Sequence, residues 1–286
     1  MSYADRKRNY ERLITVYGRK PVLEVLRDPA LQVRRLHLAH SNRRDAVIAE
    51  LEELAEARGI EIQGHSREAL ARISRNGRQD QGVAADIDCP GHRDYRELLT
   101  DVPAQGLRLV ALDRVTNPQN LGMIIRTLCA SPLDGLLLPR RGCAPLSPLV
   151  IKASAGTLFH CPLWRCEALP QALRELGAAG AEIAVLDADA RQSLDTFRPP
   201  GSVIYVLGNE TDGVSPDISA LAGHRLRIPL ARGVESLNVA VTAGLVAFRT
   251  PLPTPGSGPR APKLPGYRRR AAPEPATPRQ RRSPRR

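Results

Sequence analysis

The sequence predicts an α/β protein in which a small α/β domain precedes a larger domain built on a mostly parallel sheet. Three observations carry this expectation. Strand-length apolar runs alternate with helix-length amphipathic segments through most of the 286 residues. From Leu107 onward their spacing is that of βα units. A stretch holding Pro90, Gly91 and Pro103 separates the two series.

In chain order, residues 1–16 are polar and basic and read as a flexible arm. Residues 17–88 read as the small domain. Its helix-like GRKPVLEVLRD leads to a strand-like VRRLHLA. Val47, Ile48, Leu51, Leu54 and Ala55 then form a helical stripe that stops at Gly59. A strand (IEIQ), a helix (REALARIS) and a strand (GVAADI) complete this part. Residues 89–106 read as a linker around one short helical piece. Within 107–250, strands are expected at Leu107–Leu112, Gly135–Leu138, Glu182–Leu186, Val203–Leu207 and Arg225–Ile228. Helices are expected to start near Asn120, Ser147, Leu169, Pro216 and Asn238. Residues 251–286 hold ten prolines and ten basic residues, cannot bury a core, and read as a disordered basic tail.

Composition narrows the function classes. The net charge of +12 sits in the ends, because the tail carries ten Lys/Arg against Glu274 alone. The basic ends suit nucleic acid, while residues 21–250 are close to neutral. Aromatics make up 3% of the chain, too few for an RNA-stacking sheet surface. The five cysteines show no CxxC and read as reduced thiols of a cytoplasmic protein. His37 and His40 would lie on opposite faces of a strand, so no metal site is expected. No apolar run reaches membrane-spanning length. The strand–GxGxxG–helix fingerprint of a dinucleotide enzyme is absent from the body of the chain.

Three segments follow expected strands with polar clusters, the edge of an α/β sheet where ligands bind. They are DRVTNPQNLGMIIR (Asp113–Arg126), VLGNETDGVSPD (Val206–Asp217) and IPLARGVESLNVAVTA (Ile228–Ala243). Each also has a purely structural explanation. Asn120 could cap a helix on which Arg126 is an ordinary residue, and Glu210 could belong to a turn. Ser236 or Asn238 could cap the apolar helix that follows.

Taken together, NPQNLGMIIRT, LGNETDGVSP and IPLARGVESLNVAVTAG resemble, in order and separation, the three motifs of the SpoU/TrmH branch of the SPOUT RNA ribose 2′-O-methyltransferases. The resemblance covers roughly residues 107–249. Tyr17–Val22 and Gln81–Val83 are similar to the substrate-binding domain, of L30e-like fold, of bacterial 23S rRNA guanosine-2′-O-methyltransferases. Met123 and Leu128 stand where that family usually has smaller residues.

The resemblance implies a trefoil-knotted sheet, S-adenosylmethionine as cofactor, RNA as substrate and a homodimer through the knotted domain. It places Leu207, Gly208, Ile228, Pro229 and Leu237 against the cofactor. Arg126, Asn120, Glu210, Ser236 and Asn238 match active-site positions. Arg126 matches the arginine often assigned as a base, but a guanidinium holds its protons too tightly for that role. A phosphate clamp that stabilises charge on the ribose oxygen is the expected role instead. A guanosine of 23S rRNA is the expected target. A tRNA ribose methyltransferase and a non-catalytic RNA-binding assembly factor are the alternatives.

Overall fold

The computed structural model describes residues 12–89, 91–100 and 106–249. The tail at 251–286 and most of the expected basic arm lie outside the described residues.

The arm is shorter than the charge pattern suggests, because β1 occupies Leu13–Tyr17. Its β-branched alternation buries Ile14 and Val16, which outweighs the polar residues before it. β2 (Gln32–Ala39), β3 (Glu61–His65) and β4 (Val83–Asp88) complete a four-stranded sheet in the order β1-β4-β2-β3. β4 is antiparallel to both neighbours, so β1, β2 and β3 run the same way. Their C-terminal ends therefore share one edge, and each leads into a helix. These helices are α1 (Arg19–Arg27), α2 (Ala46–Ala57) and α3 (Arg67–Ser74). Val22, Leu26, Ile48 and Leu51 on α1 and α2 pack in one apolar cluster with Leu36, Val83 and Ile87 of the sheet. Asp45 caps α2 through the Val47 and Ile48 amides, and Ser66 caps α3 through Ala69.

Residues 89–106 do more than connect. They supply β5 (His92–Asp94), the edge strand of the second sheet, and a 3₁₀ turn at Tyr95–Leu99. The remaining strands are β6 (Arg108–Leu112), β7 (Gly135–Pro139), β8 (Leu163–Cys166), β9 (Glu182–Leu186), β10 (Gln192–Ser193), β11 (Val203–Leu207) and β12 (His224–Arg227). All pairings are parallel, in the order β10-β12-β9-β11-β6-β7-β8-β5. β5, β8 and β10 were not expected, since each is too short to show a clear period.

Helices cover both faces, which is why β6 and β11 are apolar on each side. α4 (Pro118–Cys129) and α8 (Val239–Phe248) bury Leu121, Ile125, Ala243 and Val246 against Val110 and Leu112. α6 (Leu169–Ala178) buries Leu173 and Leu176 against Leu109, Ala111 and Val206 on the other face. α5 (Pro148–Ala153) crosses α4 closely at Gly122, where a Cβ would meet the Ala153 methyl and come 2.8 Å from the Val150 carbonyl. α7 (Pro216–Ser219) is a single turn.

His92 is fully buried in β5, and its Nε2 lies 3.0 Å from the Leu158 carbonyl oxygen. A carbonyl only accepts, so Nε2 carries the hydrogen. Burial pushes the imidazole pKa down from 6.5 to about 4, against the opposing effect of that carbonyl.

Two measurements test this packing. Gly122→Val is expected to cost about 1–3 kcal/mol in urea unfolding by overpacking. Gly177→Ala, on α6 where an added Cβ would meet Ile183 Cγ1 at an ordinary 4.0 Å, should instead stabilise by about 0.5–1 kcal/mol. For His92, the unfolded chain takes up a proton below pH 6.5 while the folded chain does so only near 4. Its contribution is thus present above pH 6.5 and lost as pH falls towards 4, by roughly 3 kcal/mol. His92→Gln should flatten that part of the stability–pH profile.

Candidate active site

The site lies at the C-terminal edge of β6, β9, β11 and β12. After β6, the chain turns at Asn117, whose Oδ1 accepts from the amides of Gln119 (2.8 Å) and Asn120 (3.4 Å). Asn117 is therefore the cap of α4, not Asn120, and Pro118 takes the first helical position. This frees the Asn120 side chain, which is buried. The sequence reading had Asn120 as the possible cap; Pro118, at home in the first helical position, was the signal that points to Asn117 instead.

Asn120 joins the three loops. Its amide nitrogen donates to Glu210 Oε1, and its Oδ1 accepts from Asn238 Nδ2 at 3.1 Å. Asn238 Oδ1 in turn accepts from the Ala240 amide at 2.9 Å and caps α8. The direction of this chain is fixed by its ends. A carboxylate can only accept and a helical N–H can only donate, so each amide has one workable orientation.

The 208–215 loop folds tightly back on itself. Asn209 Oδ1 accepts from the amides of Thr211 (2.9 Å) and Asp212 (2.6 Å). A Cβ at position 208 would fall inside the backbone of Gly213 and Val214, so only glycine fits there. Asp113 and Arg114, which the sequence reading did not single out, fasten this loop to the end of β6. Buried Asp113 accepts from the Ser215 amide at 2.7 Å. Arg114 donates to Asp212 and to the Gly213 carbonyl, both at 3.3 Å. An Asp-Arg pair directly after an apolar strand was the available signal.

Beside these loops lies a cavity of about 500 Å³. Leu207, Gly208, Ile228 and Leu237 line it, as do Glu210 and Ser236. Asp187, after β9, also lines it and was missed, because LDADA reads as an ordinary loop. Pro229, Asn120 and Asn238 are not in its wall; the two asparagines stand behind it and hold its loops.

Arg126 lies apart. It is exposed in the last turn of α4, outside the cavity wall, and has no hydrogen bond or ion pair among the described residues. Next to it is an apolar face formed by Met123 on α4 and by Val241, Leu245 and Phe248 on α8, 42–52% exposed. Met123, one of the two positions where the family usually has a smaller residue, therefore lies at the surface. Leu128, by contrast, is buried. All five cysteines are free, and no His/Cys/Asp/Glu group among the described residues could hold a metal. No helix among them is long and apolar enough to cross a membrane.

Residues 107–248 match the SpoU rRNA methylase family, and residues 15–90 match the family described as RNA 2′-O ribose methyltransferase substrate binding. A Mycolicibacterium vanbaalenii protein named as an uncharacterized tRNA/rRNA methyltransferase is 33% identical over 233 residues, which is 81% of this chain and 74% of that protein. Among solved structures, the AdoMet-bound rRNA methyltransferase of Sinorhizobium meliloti superposes with a TM-score of 0.56 at 25% identity, covering 86% of this chain and 89% of its own. An AdoMet complex of a SpoU methyltransferase from Streptomyces viridochromogenes shares the fold, with a TM-score of 0.57 at 23% identity over 87% and 92% of the two chains. With its sheet, its three-loop edge and both matched regions in the family's order, the chain belongs to the SpoU rRNA methylase family, whose methyl donor is S-adenosylmethionine.

Proposed function

We propose that this protein methylates a ribose 2′-hydroxyl in RNA, with a guanosine of 23S rRNA as the target. The observation that carries the reading is the Glu210–Asn120–Asn238 chain, which gathers three loops around one cavity. The cavity suits the cofactor: its volume is that of small-molecule sites, and Leu207, Ile228 and Leu237 offer apolar wall for a flat base. The carboxylates of Asp187 and Glu210 offer acceptors for hydroxyls, and Gly208 leaves backbone open to close approach. Pro229 shapes the loop from outside the wall. When bound, S-adenosylmethionine supplies an electrophilic methyl group on sulfur.

The chain's own residues then have distinct tasks. Asn120 and Asn238 fix the loops, and Glu210 holds the Asn120 amide in place. Ser236, exposed at the cavity wall, contacts ribose or phosphate. Arg126 grips an RNA phosphate and stabilises the negative charge that grows on the ribose oxygen as its proton leaves. Alignment of that oxygen accounts for several further kcal/mol of barrier. Both domains support RNA over a small substrate, and the substrate-binding region favours rRNA over the minimal tRNA enzymes. Cytoplasmic action follows from such a substrate.

A second copy of the chain covers the apolar face of Met123, Val241, Leu245 and Phe248, which brings Arg126 to the interface. The path of the chain supports a trefoil knot. It leaves β11, moves outward to β12, then returns so that α8 packs on α4 beside β11.

Comparison of 2′-O-methyl sites in rRNA and tRNA, with and without the protein, identifies the target; loss of no site in either RNA would overturn the reading. With that RNA, Arg126→Ala is expected to lower the transfer rate by about 10²–10³-fold. Its stability should stay within about 0.5 kcal/mol of the parent, since the residue is exposed and unpaired. Asn120→Ala should cost about 1–2 kcal/mol in stability as well as activity, because it removes two part-buried hydrogen bonds that join the loops. Leu245→Glu should convert the sedimenting species to monomer and lower activity with it. An unchanged sedimentation coefficient would remove the proposed dimer face.

A further inference from the structure

The cavity at the C-terminal edge of the second sheet carries an uneven charge. Among the described residues its wall holds the acids Asp187, Asp189, Glu210, Asp212 and Glu235 against the single base Arg225. The acids come from the loops after β9, β11 and β12, which are neighbours in the order β12-β9-β11. Their carboxylates therefore stand around one opening.

Two of these acids already have a cation. Asp187 pairs with Arg225 Nη1 at 3.3 Å, and Asp212 pairs with Arg114 Nη1 at 3.3 Å. Glu210 accepts from the amide of Asn120, which is neutral. Asp189 and Glu235 are exposed, and neither carboxylate has a hydrogen bond or ion pair among the described residues. Asp189, Glu210 and Glu235 thus line the cavity with no cation beside them.

The ligand of this cavity changes charge when the reaction occurs. S-Adenosylmethionine carries a sulfonium, an ammonium and a carboxylate, which leaves one net positive charge. Transfer breaks the bond from sulfur to methyl, forms the bond from ribose oxygen to methyl, and releases the hydroxyl proton. Sulfur keeps the electron pair and becomes a neutral thioether, so S-adenosylhomocysteine has no net charge. A wall of unpaired carboxylates attracts the first species and not the second.

We propose that Asp189 and Glu235, together with Glu210, are specificity residues that make the cavity select the cationic methyl donor over its neutral product. The apolar wall of Leu207, Ile228 and Leu237 cannot make this distinction, because both ligands share the adenosine it would contact. Each exposed carboxylate is worth about a threefold effect on a nearby unit charge, since water screens it. The attraction acts on the donor and is lost in the product. It therefore favours exchange of spent for fresh cofactor and does not speed the transfer itself. This rests on the placement of the cofactor in this cavity.

The test is titration calorimetry on the full chain without RNA. The ligands are S-adenosylmethionine, S-adenosylhomocysteine and sinefungin, whose amine puts a positive charge where the sulfonium would be. Asp189→Asn/Glu235→Gln should weaken both cationic ligands about tenfold and change S-adenosylhomocysteine by less than about twofold. The preference of the parent for the donor should shrink between about 0.01 M and about 1 M salt, as the screening length falls from about 30 Å to about 3 Å. Glu53→Gln/Glu56→Gln makes the same charge change on exposed positions of α2 and should leave all three affinities as in the parent. Equal losses for donor and product would mean that the carboxylates meet the ammonium common to both, and would overturn the proposal. Parental affinities in the Asp189/Glu235 variant, or the same loss in the Glu53/Glu56 control, would overturn it as well. Ile228→Trp, which fills the apolar wall, should block all three ligands. Full binding by that variant would remove the cofactor from this cavity, and the proposal with it. Blocked binding there with an unchanged preference in the Asp189/Glu235 variant would overturn the charge selection alone.

Discussion

The structure of the candidate active site depends on the donor–acceptor chain through Asn120. One end is the Glu210 carboxylate, which only accepts, and the other the Ala240 N–H of a helix, which only donates, so the two amides between them have a single orientation. Three loops from distant parts of the sequence are thereby brought into one register. A buried amide such as that of Asn120 contributes little net energy when paired, but is costly when left without partners. Their value lies in specificity of arrangement. They stand behind the cavity wall and leave Ser236 and Glu210 at its surface.

This arrangement is possible because the sheet is parallel. β6, β9, β11 and β12 end at the same edge, and their loops can therefore meet. Helices on both faces supply the apolar cover of the central strands β6 and β11. The N-terminal sheet repeats the principle on a smaller scale. β1, β2 and β3 run together, and their ends gather Arg19, Arg43 and Arg67 around a second opening. Each domain thus presents its polar side chains at one sheet edge.

The chain separates holding from working. Asp113, Arg114 and Asn209 stabilise the 208–215 loop through many short-range bonds. Arg126 has none of these supports and lies beside an exposed apolar face. An unpaired cation costs little in water, and it leaves Arg126 free for the phosphate contact proposed for it, whereas a buried, paired one would not be available.

Hydrophobic periodicity by itself determined the strands at 182–186 and 203–207 and the α2 helix, because a long amphipathic stripe or a nearly continuous apolar run leaves few alternatives. The order of the three polar segments carried the family resemblance and named Asn120, Glu210 and Asn238 together. Tertiary structure decided the rest. It made Asn117 the cap in place of Asn120, since Glu210 and Asn238 claim the side chain of the buried Asn120. It turned part of an apparent linker into β5, whose pairing with β8 no local pattern could reveal. It also put Arg126 outside the cavity wall and three arginines around a remote cleft. A sequence specifies which residues prefer helix or strand through local geometry, but which side chains face each other across a hundred residues depends on how whole elements pack.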